Sequence, residues 1–332
     1  MKPRNGEAVL VTGATGFTGG HLARSLAARG YRVRALARDP GRAGDLTPAG
    51  IEIVPGDLTD TASLERAVDG AAIVFNIAAI YRQAGVPASA YRAVNAEGVA
   101  TLIRAASRAG VRRLVHCSTV GVHGDVEHPP ADEGAPLRPG DIYQESKLEG
   151  ERLARETAEA TGIELVIARP SGIYGPGDRR LLKLFRGIAR RRFVILGRGE
   201  IFYHLTYIDD RVEGFRLCAT VPAAAGRTYI LAGGEVGTLR DLVRLIAREV
   251  GVKPPRVRLP VWPFWLAAAL CEAVCVPLRV EPPLYRRRVD FFTKSRAFDI
   301  ARARAELGFA PGVSLREGVR RSLEWYQLKG WL

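Results

Sequence analysis

The residues from Ala8 to Gly20 have the sequence AVLVTGATGFTGG, a short apolar run that leads directly into a glycine-rich turn. The glycines are spaced G-x-x-G-x-x-G, and an amphipathic helical pattern begins with them. Glycines permit a tight strand-to-helix turn, and they let the N–H groups of the new helix approach a pyrophosphate. The stretch therefore predicts a strand, a dinucleotide cradle and a helix. The residues of the cradle assigned to cofactor binding are Gly13, Thr15, Gly16, Phe17, Thr18 and Gly19.

The composition is that of a folded globular protein with an excess of positive charge. Of 332 residues, 47% are hydrophobic and 25% are charged, so the chain can bury a sizeable core. It has 49 Lys and Arg against 35 Asp and Glu, a formal net charge of +14. Because these basic residues are spread through every segment, we interpret most of them as solvated surface and expect no nucleic-acid partner.

The cysteines and the N-terminus indicate a cytoplasmic protein without a metal site. Cys117, Cys218, Cys271 and Cys275 form no C-x-x-C pair and have no histidine nearby at metal-ligand spacing. We therefore predict reduced thiols. The first apolar run is broken at Gly13 and is too short for a signal peptide.

The first half of the chain alternates between strand and helix patterns. Strands are predicted at Ala8 to Thr12, Arg32 to Ala37, Ile51 to Val54, Ala72 to Ile77, Leu114 to Cys117 and Leu165 to Ala168. Helices are predicted at Gly19 to Arg29, Thr61 to Asp69, Tyr91 to Ala109 and Tyr143 to Thr161. This alternation predicts an α/β fold with a doubly wound parallel sheet, whose ligand lies beyond the carboxyl ends of the strands.

The residues that follow the second to fourth strands have the chemistry of a nucleotide site. Arg38 can pair with a 2′-phosphate and favours NADP; in the alternative, Arg38 is solvated and Asp39 binds the ribose. Asp57, followed by Leu58, places a carboxylate where it can accept from the adenine amino group. Ala78 is small enough for the cofactor to lie against the sheet edge.

Tyr143 and Lys147 lie four residues apart on a predicted helix and therefore share a face. A free phenol has a pKa of about 10, and a neighbouring ammonium stabilises the phenolate. The pair predicts a tyrosine that moves a proton at neutral pH.

Together these motifs resemble the short-chain dehydrogenase/reductase superfamily, in its extended branch of epimerases, dehydratases and hydroxysteroid-type dehydrogenases. The likeness covers nearly the whole chain, and PPLYRRRVDFFTKSRAFD at residues 282–299 most resembles the hydroxysteroid and sterol dehydrogenases. It implies a Rossmann sheet with a smaller, interleaved C-terminal substrate domain. It places the catalytic hydroxyl on Thr119. It assigns further cofactor-binding residues in VNAEG and RPSGIYGPGD, namely Asn95, Pro170 and Ile173.

Two positions depart from the sugar-nucleotide epimerases that resemble this chain. An asparagine before the YGP turn and an arginine before the VDD segment help to hold the diphosphate in those enzymes; here they correspond to Gly172 and Tyr203. The departures disfavour a sugar-nucleotide substrate, although another arginine can substitute.

The second half of the chain mixes helix and strand patterns. We expect a helix at Leu181 to Arg192, a strand at Phe193 to Leu196, a strand at Arg227 to Leu231 that rejoins the main sheet, and a helix at Leu239 to Val250. The predicted dinucleotide-binding domain is residues 1–170 with about 205–232, and the predicted substrate-binding region is 171–204 and 233–332.

The segment Val261 to Leu278, VWPFWLAAALCEAVCVPL, has one charged residue, Glu272. It is short and contains Pro263 and Pro277, so we do not predict a bilayer span. It can line an apolar substrate pocket, and it can lie in a membrane interface, which would give peripheral contact through residues 261–288 on the inner face of a membrane. The two interpretations can hold together. The basic residues that follow it are Arg279, Arg286, Arg287 and Arg288.

The sequence therefore predicts an NADP(H)-preferring oxidoreductase, with NAD as the alternative cofactor, for a secondary alcohol or ketone of a largely apolar small molecule. Tyr143 would exchange the proton, Lys147 would lower the tyrosine pKa and hold the nicotinamide ribose, and Thr119 would bind the same substrate oxygen. One alternative is a sugar-nucleotide epimerase or dehydratase that retains its cofactor; another is a redox sensor without catalysis. By resemblance we expect a homodimer through the helices Tyr91 to Ala109 and Tyr143 to Thr161.

Overall fold

The computed structural model describes residues 6–83, 85–275, 277–278, 280 and 282–332. Part of the predicted basic cluster lies outside the described residues, namely Arg279 and the side chains of Arg287 and Arg288.

Seven parallel strands form the central sheet. In chain order the strands of the protein are β1 (Ala8–Thr12), β2 (Arg32–Ala37), β3 (Glu52–Pro55), β4 (Ile73–Asn76), β5 (Arg113–Cys117), β6 (Glu164–Pro170), β7 (Gly172–Tyr174), β8 (Ile195–Leu196), β9 (Phe202–Tyr203), β10 (Leu205–Tyr207), β11 (Thr228–Leu231), β12 (Gly237–Thr238) and β13 (Arg258–Leu259). The order across the sheet is β11-β6-β5-β4-β1-β2-β3, so the strand order reverses between β1 and β4. A ligand site is expected at this point of an open parallel sheet.

The described part of the chain contains twelve α-helices beside the strands. They are α1 (Phe17–Ala28), α2 (Thr61–Val68), α3 (Ala88–Arg92), α4 (Gly98–Arg108), α5 (Ile142–Thr161), α6 (Arg179–Ala189), α7 (Ile208–Thr220), α8 (Leu239–Val250), α9 (Val261–Cys275), α10 (Arg286–Thr293), α11 (Ala301–Leu307) and α12 (Leu315–Leu328). The bounds predicted for β1, β2 and α8 are confirmed. The helix predicted over residues 91–109 is divided instead, because a π-helical turn, Ala93–Glu97, separates α3 from α4.

The sheet is apolar on both faces, as the unbroken run of buried residues in β1 requires. Val9 and Val11 point into the core that contains α1 and α7, while Leu10 between them points into the core that contains α2, α4 and α5. The helices therefore cover both faces of the sheet, and the predicted α/β fold is confirmed.

Short strand pairs extend the second half of the chain beyond the sheet. β10 pairs in parallel with β7, β13 pairs in parallel with β8, and β12 pairs antiparallel with β9. The strand predicted at 193–196 is only two residues long, β8. β11 returns to the main sheet beside β6, as its sequence pattern predicts.

The apolar segment after residue 260 forms α9, which lies largely on the surface. Ala268 is its one buried residue among those described, while Trp262 is 68% exposed and Leu270 is 60% exposed. The interpretation of this segment as apolar core is therefore wrong, because most of its large apolar side chains are exposed and Ala268 alone is fully buried among its described residues. Among the described residues, no helix is long and apolar enough to cross a membrane.

Candidate active site

The glycine cradle, residues 13–19, joins β1 to α1 at the reversal point of the sheet. Gly13 has φ +69°, and a Cβ atom there would approach the Ala78 backbone to 2.8 Å. A Cβ atom on Gly19 would overlap the Gly13 carbonyl group. These two positions therefore require glycine, and the turn brings the N-terminus of α1 against the carboxyl ends of β1 and β4.

A cavity of about 550 Å³, here called the first cavity, opens at this edge of the sheet. Asn95 and Lys147 are the two sequence-predicted site residues that do not line it. The predicted residues that do line it are Gly13, Thr15, Gly16, Phe17, Thr18, Gly19, Arg38, Asp57, Leu58, Ala78, Thr119, Tyr143, Pro170 and Ile173.

Arg38 lies at the end of the first cavity where the carboxyl ends of β2 and β3 meet. Its side chain is 69% exposed, and its Nε atom is 3.7 Å from Oδ2 of Asp57. The other oxygen of Asp57 accepts hydrogen bonds from the N–H and hydroxyl groups of Thr59. Asp39 does not line the cavity; its carboxylate accepts from the Gly41 N–H at 3.0 Å and starts a short 3₁₀ turn.

The first cavity is strongly electropositive. The Arg, Lys, Asp and Glu side chains in its wall are five arginines and one aspartate, namely Arg38, Asp57, Arg82, Arg180, Arg211 and Arg296. Arg211 is buried and donates to the Ser171 carbonyl oxygen, and its Nε has no hydrogen-bond partner among the described residues. Burial lowers the pKa of Arg211 to about 9. A cavity with this excess of cations suits an anionic ligand such as a dinucleotide phosphate.

Tyr143 and Thr119 line the same part of this cavity, from α5 and from the turn after β5. The Thr119 hydroxyl accepts from the Gly121 N–H at 3.0 Å, and among the described residues it has no acceptor of its own. Its neighbour Ser118 instead donates to Glu151 at 2.5 Å, within a buried ion pair between Glu151 and Arg169. Thr119 is therefore the hydroxyl of the pair that can donate to a ligand.

The environment of Tyr143 favours the protonated phenol. Burial raises the pKa of Tyr143 well above its ordinary value, with smaller contributions from Cys117 and Tyr81. The Arg82 guanidinium, 5.7 Å from the centre of the Tyr143 ring, opposes this rise. Tyr81 packs edge-on against the same ring at 4.8 Å.

Lys147 lies beneath the cavity wall, at the end of a buried chain of hydrogen bonds. The Thr12 hydroxyl accepts from two backbone N–H groups and therefore donates to Oδ1 of Asn76, whose Nδ2 donates to Nδ1 of His116. Nε2 of His116 is 3.5 Å from Nζ of Lys147. Burial lowers the pKa of Lys147, and burial together with the Lys147 charge lowers that of His116.

This buried chain of hydrogen bonds affects the protonation of Lys147. A neutral imidazole that accepts at Nδ1 carries its proton on Nε2, which then faces the Lys147 amine. An ammonium would meet that N–H as a second donor, which agrees with the lowered pKa of Lys147. The effect of Lys147 on the Tyr143 pKa stays a prediction.

Asn95 lies in the π-helical turn and acts as a buried link. Its Oδ1 accepts from the Ile80 N–H at 2.8 Å, and its Nδ2 donates to the Ile80 carbonyl oxygen and to the Ser146 hydroxyl. Asn95 therefore ties the loop after β4 to α5, the helix that carries Tyr143. π-helical turns inside helices are frequent at functional sites.

A second cavity of about 450 Å³ adjoins the first. Eight residues line both cavities, and we call this shared wall the junction: Tyr81, Arg82, Gln144, Gly172, Ile173, Arg180, Tyr203 and Arg296. The apolar part of the second cavity is formed by Leu181, Leu184, Phe193, Leu205, Phe291 and Phe292.

Sequence reasoning missed several residues of this site. Tyr81 and Arg82 come from the loop after β4, and Arg180 from the start of α6, while Arg296 comes from the turn after α10. The sequence offered a signal for Tyr81 and Arg82, which form an aromatic and basic pair just past a predicted strand end. His116 gave a similar signal, as a polar residue in an apolar strand.

Comparisons with known proteins agree with this geometry. The profile of the NAD dependent epimerase/dehydratase family matches residues 9–232. A 2-alkyl-3-oxoalkanoate reductase from Stenotrophomonas maltophilia is 31% identical, over 94% of this chain and 97% of that protein. A decarboxylating sterol-4-alpha-carboxylate 3-dehydrogenase from Schizosaccharomyces pombe is 30% identical, over 96% of each chain.

Solved structures agree as well. A short-chain dehydrogenase/reductase superfamily protein from Agrobacterium tumefaciens with bound NAD superimposes with a TM-score of 0.75 at 25% identity, over 97% of this chain and 98% of that chain. The resemblance found in the sequence is thereby confirmed. The chain belongs to the NAD-dependent epimerase/dehydratase family of the short-chain dehydrogenase/reductase superfamily, and it is an NAD(P)-dependent enzyme.

Proposed function

We propose that the protein is an NADP(H)-preferring oxidoreductase that interconverts a secondary alcohol and a ketone on a largely apolar substrate. The observation that carries this proposal is the position of Tyr143 and Thr119, which line the cradle-containing cavity, next to a second cavity whose wall includes six Leu and Phe side chains among charged ones. A substrate can thus place its oxygen at Tyr143 and its apolar part beyond the junction. The sterol dehydrogenase among the relatives supports the same substrate class.

The residues present suit the cofactor. The glycine cradle would hold the pyrophosphate, and Arg38 would pair with the 2′-phosphate. When bound, NADP supplies the hydride acceptor or donor at its nicotinamide ring. In the oxidation direction, Tyr143 takes the hydroxyl proton while Thr119 donates to the substrate oxygen, and reduction reverses these steps.

At neutral pH the Tyr143 phenol is protonated and can donate to a ketone oxygen, but its raised pKa makes it a weak acid, so donation also needs the phenolate to be stabilised. To act as a base, Tyr143 needs its proton affinity lowered when cofactor and substrate bind. Arg82 already acts in that direction, and Lys147 would add to it if bound cofactor alters its contact with His116.

The second candidate is a sugar-nucleotide epimerase, favoured by the arginines at the junction, which could hold a pyrophosphate in place of the family's usual anchors. The two functions differ in the fate of the cofactor. An oxidoreductase exchanges it and changes its absorbance at each turnover, whereas an epimerase retains it and regenerates it. We expect the purified protein to release NADP and to oxidise NADPH with an apolar ketone. A stoichiometric retained cofactor and turnover of a UDP-sugar would replace the proposal with the epimerase.

We also propose that α9 docks on an anionic membrane surface. Trp262, Trp265 and Leu270 are 68%, 47% and 60% exposed, and exposed apolar patches mark interaction or membrane sites. Arg286 neutralises the one charge of the helix, with its Nε 2.6 Å from Oε2 of Glu272. The exposed cations in the segment that precedes the helix are Lys253, Arg256 and Arg258. Interfacial helices combine these features.

Vesicle sedimentation tests this docking. We expect binding to phosphatidylserine vesicles at low salt, partial release at high salt, and weak binding to phosphatidylcholine, since each cation contributes about 1 kcal/mol near an anionic surface. Leu270→Ser should weaken binding, while Leu328→Ser, at a leucine 80% exposed on α12, should not. Absence of binding at low salt would remove the proposal.

We further propose the homodimer through α4 and α5, which light scattering would test.

A further inference from the structure

We propose that the substrate carries a carboxylate on the carbon next to its reacting carbon, and that Arg296 and Arg82 at the junction bind this carboxylate. The inference rests on the proposed function, and it names the substrate class: a 3-hydroxy or 3-oxo carboxylate with an apolar substituent.

The junction concentrates positive charge between the two cavities. Arg82, Arg180 and Arg296 line both cavities, and no carboxylate is shared by both walls. Two of these arginines have acidic partners: Arg82 is 2.8 Å from Asp141, and Arg180 is 2.9 Å from Asp178. A ligand that crosses the junction therefore passes a wall of guanidinium groups.

Of these three arginines, Arg296 is the one that has no carboxylate partner among the described residues. Its backbone is fixed, because its N–H donates to the Phe202 carbonyl oxygen and its own carbonyl accepts from the His204 N–H. Burial raises the pKa of the half-buried Tyr203, and the Arg296 guanidinium opposes this rise. Nε of Arg82 is also buried and makes no hydrogen bond among the described residues. The buried Nε of Arg82 points to an acceptor that a ligand supplies, because buried guanidinium donors are normally satisfied. Arg296 is half-buried and offers the same ligand a cation that no described carboxylate occupies.

The position of Arg82 beside Tyr143 limits where the carboxylate can lie. The Arg82 guanidinium carbon is 5.7 Å from the centre of the Tyr143 ring, so an anion bound to Arg82 lies in the same part of the site as Tyr143. A carboxylate on the adjacent carbon meets this requirement. Two relatives act on molecules whose names describe this arrangement, a 2-alkyl-3-oxoalkanoate and a sterol-4-alpha-carboxylate dehydrogenated at position 3.

The rest of the substrate would enter the second cavity. Beyond the junction, its charged groups include the pair Lys294 and Asp290, 3.0 Å apart, and its apolar wall includes Phe291 and Phe292. An alkyl chain or ring system suits this wall. The pyrophosphate of a sugar nucleotide has the same anionic chemistry as a carboxylate, so the experiment must separate these two sources.

The test compares a long-chain 2-alkyl-3-hydroxycarboxylate with its methyl ester, as substrates for oxidation with NADP. Hydride passes to the cofactor and the hydroxyl proton to Tyr143, so one ketone and one NADPH form per turnover. We expect the native enzyme to prefer the acid by about 10- to 100-fold in kcat/KM, the effect of one charge-assisted contact. Arg296→Gln should remove most of this preference, chiefly through KM, and Arg296→Lys should restore part of it. Arg190→Gln removes an exposed charge at the end of α6, outside both cavities, and should keep the preference.

Three results would overturn the proposal: equal use of acid and ester by the native enzyme, an unchanged preference in Arg296→Gln, or competitive inhibition by UDP that is tighter than binding of the acid. If neither acid nor ester is oxidised, the proposed function fails separately. Calorimetric binding of the acid to the NADP-loaded protein then decides the site, because loss of binding in Arg296→Gln supports it and unchanged binding refutes it.

Discussion

Arg38→Ala should reduce the preference for NADPH without disturbing the rest of the cofactor site. Nε of Arg38 is 3.7 Å from Asp57, beyond hydrogen-bond distance, so the guanidinium is available to a 2′-phosphate. A charge-assisted contact is worth about 1.5–3 kcal/mol. Because the side chain is 69% exposed, solvent screening places the effect at the lower end. We therefore expect NADPH binding to weaken by about tenfold and NADH binding to change little.

Fluorescence titration with both cofactors, at low and high salt, measures this difference. The loss for NADPH should be larger at low salt, because screening already weakens the contact in the native protein at high salt. Arg42→Ala is a matched control, since Arg42 is exposed and basic in the same segment but does not line the first cavity. Equal losses for the two cofactors, or a native preference for NADH, would refute the assignment of Arg38.

Two further substitutions test the cradle and the buried histidine. Gly13→Ala should abolish most cofactor binding and lower the melting temperature, because its Cβ would meet the Ala78 backbone. The control Gly50→Ala, at φ +74° with open space around it, should lower the free energy of unfolding by only about 1 kcal/mol. Similar effects of the two substitutions in cofactor titration and thermal unfolding would contradict this account. His116 has its pKa lowered in the folded protein, so the unfolded state binds more protons below about pH 6.5 and stability falls as the pH falls. His116→Gln should therefore reduce the dependence of the unfolding free energy on pH, between about pH 6.5 and 5, by up to about 1.4 kcal/mol per pH unit. Urea unfolding at several pH values measures this dependence. An unchanged dependence would refute the argument that burial lowers the pKa of His116.

The sheet and the cradle could be predicted because their signals are local. Strand β1 is a continuous apolar run, and the three glycines of the G-x-x-G-x-x-G spacing lie within seven residues directly after it. The family resemblance extended this knowledge to Thr119, which lines the first cavity as expected. Local sequence patterns therefore predicted the parallel α/β sheet and the cradle residues that line the first cavity.

The substrate end could not be predicted in the same way, because its residues come together from distant segments. Arg82 and Arg296 are far apart in sequence, and nothing near either residue indicates that both line the junction. The π-helical turn at Asn95 depends on hydrogen bonds to Ile80, which a local helical pattern does not contain. The apolar composition of α9 suggested burial, but composition does not show whether a packing partner exists.

The central claim is that Tyr143 exchanges a proton with the substrate oxygen in a hydride-transfer reaction. Tyr143→Phe keeps the buried ring and its contacts with Tyr81 and Arg82 but removes the titratable group. The decisive measurement is the NADP(H)-dependent turnover of this variant beside its cofactor dissociation constant. We predict that turnover falls by about two to four orders of magnitude while cofactor binding stays nearly unchanged. Near-native turnover with cofactor bound would contradict the account.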